Sequence, residues 1–137
     1  MQTLSVILTE WADEDHTITV TTYEKGWTWQ DFKDSDDTVG LMLDTVDHKV
    51  SFILDGSKAV IPKGFSSNFP ELVDRAQGLH HPNAEYIVIV GVKPHLQALY
   101  ELFSSLFKEH SKTTFMVATL DKAKELIKEK RRQAALS

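Results

Sequence analysis

The chain contains no cysteine. That absence excludes disulfides, thiol nucleophiles, iron–sulfur clusters and the common zinc frameworks together, and it fits a cytosolic protein. Glycine and proline are sparse, six and four among 137 residues, which sets the chain apart from disordered and fibrous classes. No apolar run approaches the ~18 residues that a membrane span needs. The opening Met1-Gln2-Thr3-Leu4-Ser5-Val6-Ile7-Leu8 lacks a basic start and meets Glu10 before a signal-peptide core is long enough. A cytoplasmic protein without membrane insertion is expected. An excess of positive charge is missing too: the net charge of −5 counts against nucleic-acid and anionic-membrane partners, both of which need a basic field.

What is present is an apolar content of 42% with 26% charged residues, sufficient for one core and one domain over residues 1–137. The strongest signal is Glu85-Tyr86-Ile87-Val88-Ile89-Val90-Gly91, an uninterrupted apolar, largely β-branched run stopped by glycine. Such a run predicts a strand covered on both faces, hence inside a sheet. Val92-Lys93-Pro94 follows, and Leu96, Leu99, Tyr100, Phe103, Leu106 and Phe107 recur at helical spacing, so the unit reads strand, short turn, helix.

Before it, Leu4–Leu8 and Thr17–Tyr23 read as an opening hairpin around the polar turn Trp11–His16. Trp27 to about Val46 reads as a helix with Thr28 as cap and Asp31 three residues on. Phe32, Ser35, Val39, Met42, Leu43 and Val46 share its inner face, with Trp29 at the edge, while Leu41 falls on the outer side among Asp34, Asp37 and Asp44. Of Trp27 and Trp29, one is expected to cover the core and the other to stay partly exposed. Lys49–Gly56 is the next strand, followed by a long connection, Ser57–Ser67, where function is expected to sit. Asn68 reads as the cap of a helix with Pro70 in its first turn and its end near Gly78. His80-His81-Pro82-Asn83 reads as a turn. Thr113–Ala118 is the last strand, and Thr119 caps a final helix. There Leu120, Ala123, Leu126 and Ile127 face inward, and Lys122, Lys124, Lys128 and Lys130 face water. Lys128–Arg132 forms a cationic last turn that suits the helix dipole. A hairpin followed by strand–helix units predicts an α/β single domain with a mixed, mostly parallel sheet and about four helices.

Catalytic and metal motifs are thin. Adjacent His80 and His81 point apart in a turn and have no third ligand at a familiar spacing. Asp34-Ser35-Asp36-Asp37 has acid density without the glycine and terminal glutamate of a calcium loop, and reads as a solvated helix face. No serine sits in a glycine-flanked elbow, and Gly91-Val92-Lys93-Pro94 is not a phosphate loop. No catalytic residue, metal or cofactor is assigned.

The order of elements, with Val50–Gly56 running into an apolar loop, Pro62-Lys63-Gly64-Phe65, and a helix, resembles the sulfate transporter and anti-sigma-factor antagonist (STAS) domains. The likeness spans about Leu4 to Arg132 and looks closest to bacterial stand-alone STAS-like proteins, in which His81-Pro82-Asn83, the strand to Gly91 and Thr119-Leu120-Asp121-Lys122-Ala123 recur in this order. The resemblance implies a STAS-like fold and a non-enzymatic regulatory or scaffolding role through another protein, with a homodimer also allowed. In that family a phosphorylatable serine or threonine follows an aspartate just before the helix. Here Ile61 matches, but Pro62 and Lys63 stand at those two positions, so the usual phospho-acceptor is missing. Ser57, Ser66 and Ser67 are the nearby hydroxyls, and phosphate at a helix start is electrostatically favoured. Lys58, Ile61, Lys63, Phe65 and Ser66 are the expected partner-binding residues, the apolar pair as anchors and the lysines steering an acidic partner. The alternative is a small-ligand carrier, for a lipid or nucleotide, with the ligand at the strand ends near Gly56 and Gly91.

Overall fold

The computed structural model describes residues 6–58, 65–91, 108, 110 and 112–136, with the backbone course alone at 65, 66 and 69. Five strands form one sheet in sequential order: β1 (Ile7–Trp11), β2 (Ile18–Tyr23), β3 (Val50–Asp55), β4 (Ala84–Val90) and β5 (Thr114–Val117). β1 and β2 are antiparallel, and every later neighbouring pair is parallel. Among the described residues there are four helices: α1 (Trp29–Asp44), α2 (Phe65–Arg75), the single turn α3 (Gln77–His80) and α4 (Leu120–Leu136). The α/β class and the mixed, mostly parallel sheet with an opening hairpin are as expected. No helix among the described residues is long and apolar enough to cross a membrane.

A sheet that advances one strand at a time in one direction, through right-handed crossovers, must place its crossover helices on the same face. Accordingly Val39 and Leu43 of α1 and Leu72 of α2 pack with Val50, Phe52, Ile87 and Ile89. The opposite face carries α4, whose Ala123 and Ile127 pack on Ile18, Ile53, Val88 and Val90. The continuous apolar run of β4 is thus split by the strand's two-residue period, alternate residues serving each core. β4 lies between β3 and β5, while β3 is the middle strand of the five.

Local chemistry fixes the ends of α1. Thr28 Oγ1 accepts from the Asp31 N–H at 3.2 Å and Asp31 Oδ2 from the Thr28 N–H at 2.8 Å, a complete capping box. At the other end, Asn83 Nδ2 donates to the carbonyls of Leu43 and Val46, both at 3.1 Å. Trp27 is buried and Trp29 half-buried, the division expected of the pair, and Leu41 is 69% exposed.

Several boundaries differ from the sequence reading. β1 runs to Trp11 rather than Leu8, because pairing continues to Trp11↔Thr19 and the turn is tightened by Asp13, whose carboxylate binds the Thr17 and Ile18 N–H groups. His16 takes a positive φ of 57° in that turn, with its ring stacked on Trp11 at 4.4 Å. Helix α2 begins at Phe65, so Asn68 is not its cap and Pro70 lies within it, costing the one N–H that proline lacks. It ends at Arg75, where Ala76 leaves helical geometry (ψ 116°). Gly78 is no cap either. It lies in α3, where an added Cβ would meet Ile87 and Phe52 at 3.3 and 3.4 Å, so its bareness lets α3 approach the sheet. His80 closes α3 instead of opening a turn.

Thr119 caps α4 through the Lys122 N–H at 3.2 Å, but the helix continues to Leu136, so Lys128–Arg132 is not its last turn. Lys130 lies over the Phe115 ring at 5.0 Å and is half-buried rather than wholly solvated. The helix expected over Leu96–Phe107 and the start of the hairpin at Leu4 lie outside the described residues.

Candidate functional site

The carboxyl ends of the parallel strands form one row. The Gly56 N–H donates to the Val90 carbonyl at 3.1 Å, and the Gly91 N–H to that of Val117, also 3.1 Å, which ties the exits of β3, β4 and β5 together. Gly91 has φ +124°, a conformation that demands glycine. Beyond β3, Asp55 Oδ1 accepts from the Ser57 N–H at 3.1 Å and from its hydroxyl at 2.7 Å, a side-chain-templated turn. That turn delivers Lys58 to the surface, where it is exposed. The chain is next described at α2, whose first three residues are Phe65, Ser66 and Ser67, with no acidic residue in the first turn.

The residues expected to bind a partner therefore divide. Lys58 stands exposed at the exit of β3, and Phe65 and Ser66 occupy the first two positions of the helix that follows, rather than a loop. Ile61 and Lys63 lie outside the described residues. Of the three hydroxyls, Ser57 is already spent on Asp55, where a phosphate would meet a carboxylate. Ser67 is exposed in the first turn of α2, where backbone N–H groups favour an anion.

Two other clusters carry chemically versatile groups, and both are committed to structure. His81 Nε2 lies 2.8 Å from Asp44 Oδ1, and its Nδ1 is 3.0 Å from the Asn83 N–H. An amide N–H donates only to an unprotonated nitrogen, so the proton sits on Nε2 and points at Asp44. Neither nitrogen is left to act as a base on a substrate. His80 Nε2 likewise meets the Val73 carbonyl, at 2.7 Å.

The second cluster was misread from sequence. Asp36 is buried, not part of a solvated face: its carboxylate accepts from the Gln77 N–H at 2.9 Å and from Arg75 Nε at 3.2 Å, while Arg75 NH2 also reaches Asp37 at 2.8 Å. Burial raises the Asp36 carboxyl above its ordinary value, against the pull of Gln77 and Arg75. Burial, with the Asp36 charge in second place, also pushes the Tyr23 phenol up. The signal was in the wheel, since Asp36 follows Phe32 by four residues and precedes Val39 by three. Arg131 and Glu85 were missed as well. Arg131 donates to Glu85 at 2.8 Å and to the Thr17 carbonyl at 2.8 Å, pinning α4 to the sheet's other end.

No family model, curated protein or solved structure matches this chain.

Proposed function

We propose that the chain is a non-enzymatic regulatory or scaffolding domain of STAS-like character, and that it binds another protein through the exit of β3 and the start of α2. The observation that carries this reading is the joint placement of exposed Lys58 and exposed Ser67 around the strand-to-helix connection, where the resembled family presents its regulatory surface. The row of strand exits beneath is held rigid by backbone bonds from Gly56 and Gly91. A rigid rim carrying the Lys58 cation and the exposed Ser67 suits docking of an acidic protein surface. Among the described residues, the His81 and Asp36 clusters are committed to internal hydrogen bonds.

Affinity capture from the native lysate tests the proposal, with wild type beside a Lys63→Glu, Phe65→Ala double variant of unchanged melting temperature. A protein held by the wild type and lost by the variant is expected. Retention of a small molecule by both proteins, with no such protein partner, would overturn the proposal in favour of a ligand carrier.

A further inference from the structure

The outer edge of β1 has a hydrogen-bonding phase that the β1–β2 pairing leaves open. The Glu24 N–H donates to the Val6 carbonyl and the Ala12 N–H to that of Ile18, both at 2.8 Å, at the two ends of the β1–β2 register. Antiparallel strands alternate hydrogen-bonded and non-bonded pairs, so Leu8 and Glu10 also turn their backbone groups toward β2. Ile7, Thr9 and Trp11 then turn theirs outward, and among the described residues β1 is the terminal strand of the sheet. Edges are ordinarily blunted by proline, lysine, a bulge or brevity. β1 has none of these: its five residues are Ile-Leu-Thr-Glu-Trp, in unbroken register with β2.

We infer that β1 pairs antiparallel with β1 of a second copy of this chain, about a two-fold axis at Thr9, joining the two sheets into one. The charge of Glu10 selects this register. Centring on Thr9 sets Ile7 opposite Trp11 and Leu8 opposite Glu10 of the other copy. The next register in phase, centred on Glu10, sets two carboxylates face to face, which is repulsive. Centring on Leu8 pairs fewer of the outward residues. Leu8, 52% exposed on the face that α4 covers, gains a diagonal contact with its own counterpart. A second copy is the occupant because the edge is complementary to itself, and because the two-fold closes: the other edge, β5, has four residues and remains outside the contact.

The test needs no variant to begin with. Amide hydrogen exchange of wild type from micromolar to millimolar concentration is expected to slow at Ile7, Thr9 and Trp11 with concentration, while Leu8 and Glu10 stay unchanged. Thr9→Pro removes an outward N–H and no β1–β2 backbone bond, together with the Thr9 hydroxyl's contacts to Thr21 at 3.0 Å and Ser35 at 3.2 Å; Thr9→Val removes those hydroxyl contacts alone. Thr9→Pro is therefore expected to weaken dimerisation about tenfold or more, while Thr9→Val, the control for the lost hydroxyl, dimerises as wild type. The chain has no cysteine, so Thr9→Cys is expected to form a disulfide between copies, the paired Cα atoms lying about 5.5 Å apart. Exchange independent of concentration, a Thr9→Pro dimer as tight as wild type, or a Thr9→Cys dimer that does not cross-link would each overturn the inference.

Discussion

Asp13 templates the β1–β2 turn with one side chain. One oxygen accepts from the Thr17 N–H at 2.8 Å and the Ile18 N–H at 3.1 Å, and the other takes the Thr17 hydroxyl. Burial works to raise its pKa, but these bonds and the charge of Arg131 outweigh burial and hold the carboxyl below its ordinary value. A folded-state pKa below the unfolded one gives stability that is present above the unfolded value, about 3.9, and lost as pH falls through the folded one. Asp13→Asn is therefore expected to cost about 1 kcal/mol at neutral pH. The gap from wild type should close as pH falls below about 4, read by urea denaturation across pH; a gap independent of pH would contradict the assignment. Asp36 runs the other way. Its pKa is raised by burial, so its contribution is full below the unfolded value and declines as pH rises through the folded one. At this scale sequence reading did least well. It placed both aspartates in polar stretches, because a short acidic run looks alike whether a member faces water or an arginine 39 residues away.

Between elements, the junction of α2 and α3 docks on α1. Asp36 holds Arg75 and the Gln77 N–H, Lys33 lies 3.5 Å from Glu71, and Gly40 leaves room for the Gln77 side chain, which an added Cβ would meet at 3.2 Å. Asp36→Ala would leave Arg75 Nε and the Gln77 N–H without their acceptor, while Arg75 keeps Asp37. Breaking a buried pair typically costs 3–5 kcal/mol; with Arg75 still partly wet the expected loss is about 2 kcal/mol, measured by chemical denaturation. A loss within 0.5 kcal/mol, the ordinary surface range, would show that the clamp carries no load. Elements defined by local rules were legible. The capping box of α1, the cap of α4 and the apolar period of β4 each follow from a few adjacent residues. The bounds of α2 were not, since Asn68 and Pro70 signal a later start than the one the fold adopts. The bulge in β4 was equally hidden: Val50 pairs with Ala84 but Phe52 with Ile87, so Glu85 and Tyr86 both stand against Ser51. The Ser51 hydroxyl answers by bonding Glu85 Oε1 at 2.8 Å and the Tyr86 N–H at 3.3 Å. That repair spans 35 residues and leaves no local trace.

At the scale of the whole molecule, the two ends of the parallel strands are unlike. At the entry end, Arg131, Glu85, Ser51, Thr17 and Asp13 form one continuous hydrogen-bonded chain that ties the hairpin turn, β3, β4 and α4 together. At the exit end, Lys58 and Ser67 are exposed. The entry end is spent on cohesion, and the exit end is where the proposed contact lies, the end at which open parallel sheets bind. The mixed, mostly parallel sheet with its opening hairpin was legible because hydrophobic period and right-handed crossover together leave few topologies. The connection from β3 into α2 was legible from its length; the contacts made around it were not. Placing a photoactivatable cross-linking residue at Ser67, and in a second protein at exposed His48 beyond the opposite end of the strands, tests the central claim most directly. An adduct with another protein from position 67, weakened by Lys58→Glu and absent from position 48, is the expected result. Equal adducts from both positions, or none from position 67 under conditions where the protein is captured with its partner, would contradict it.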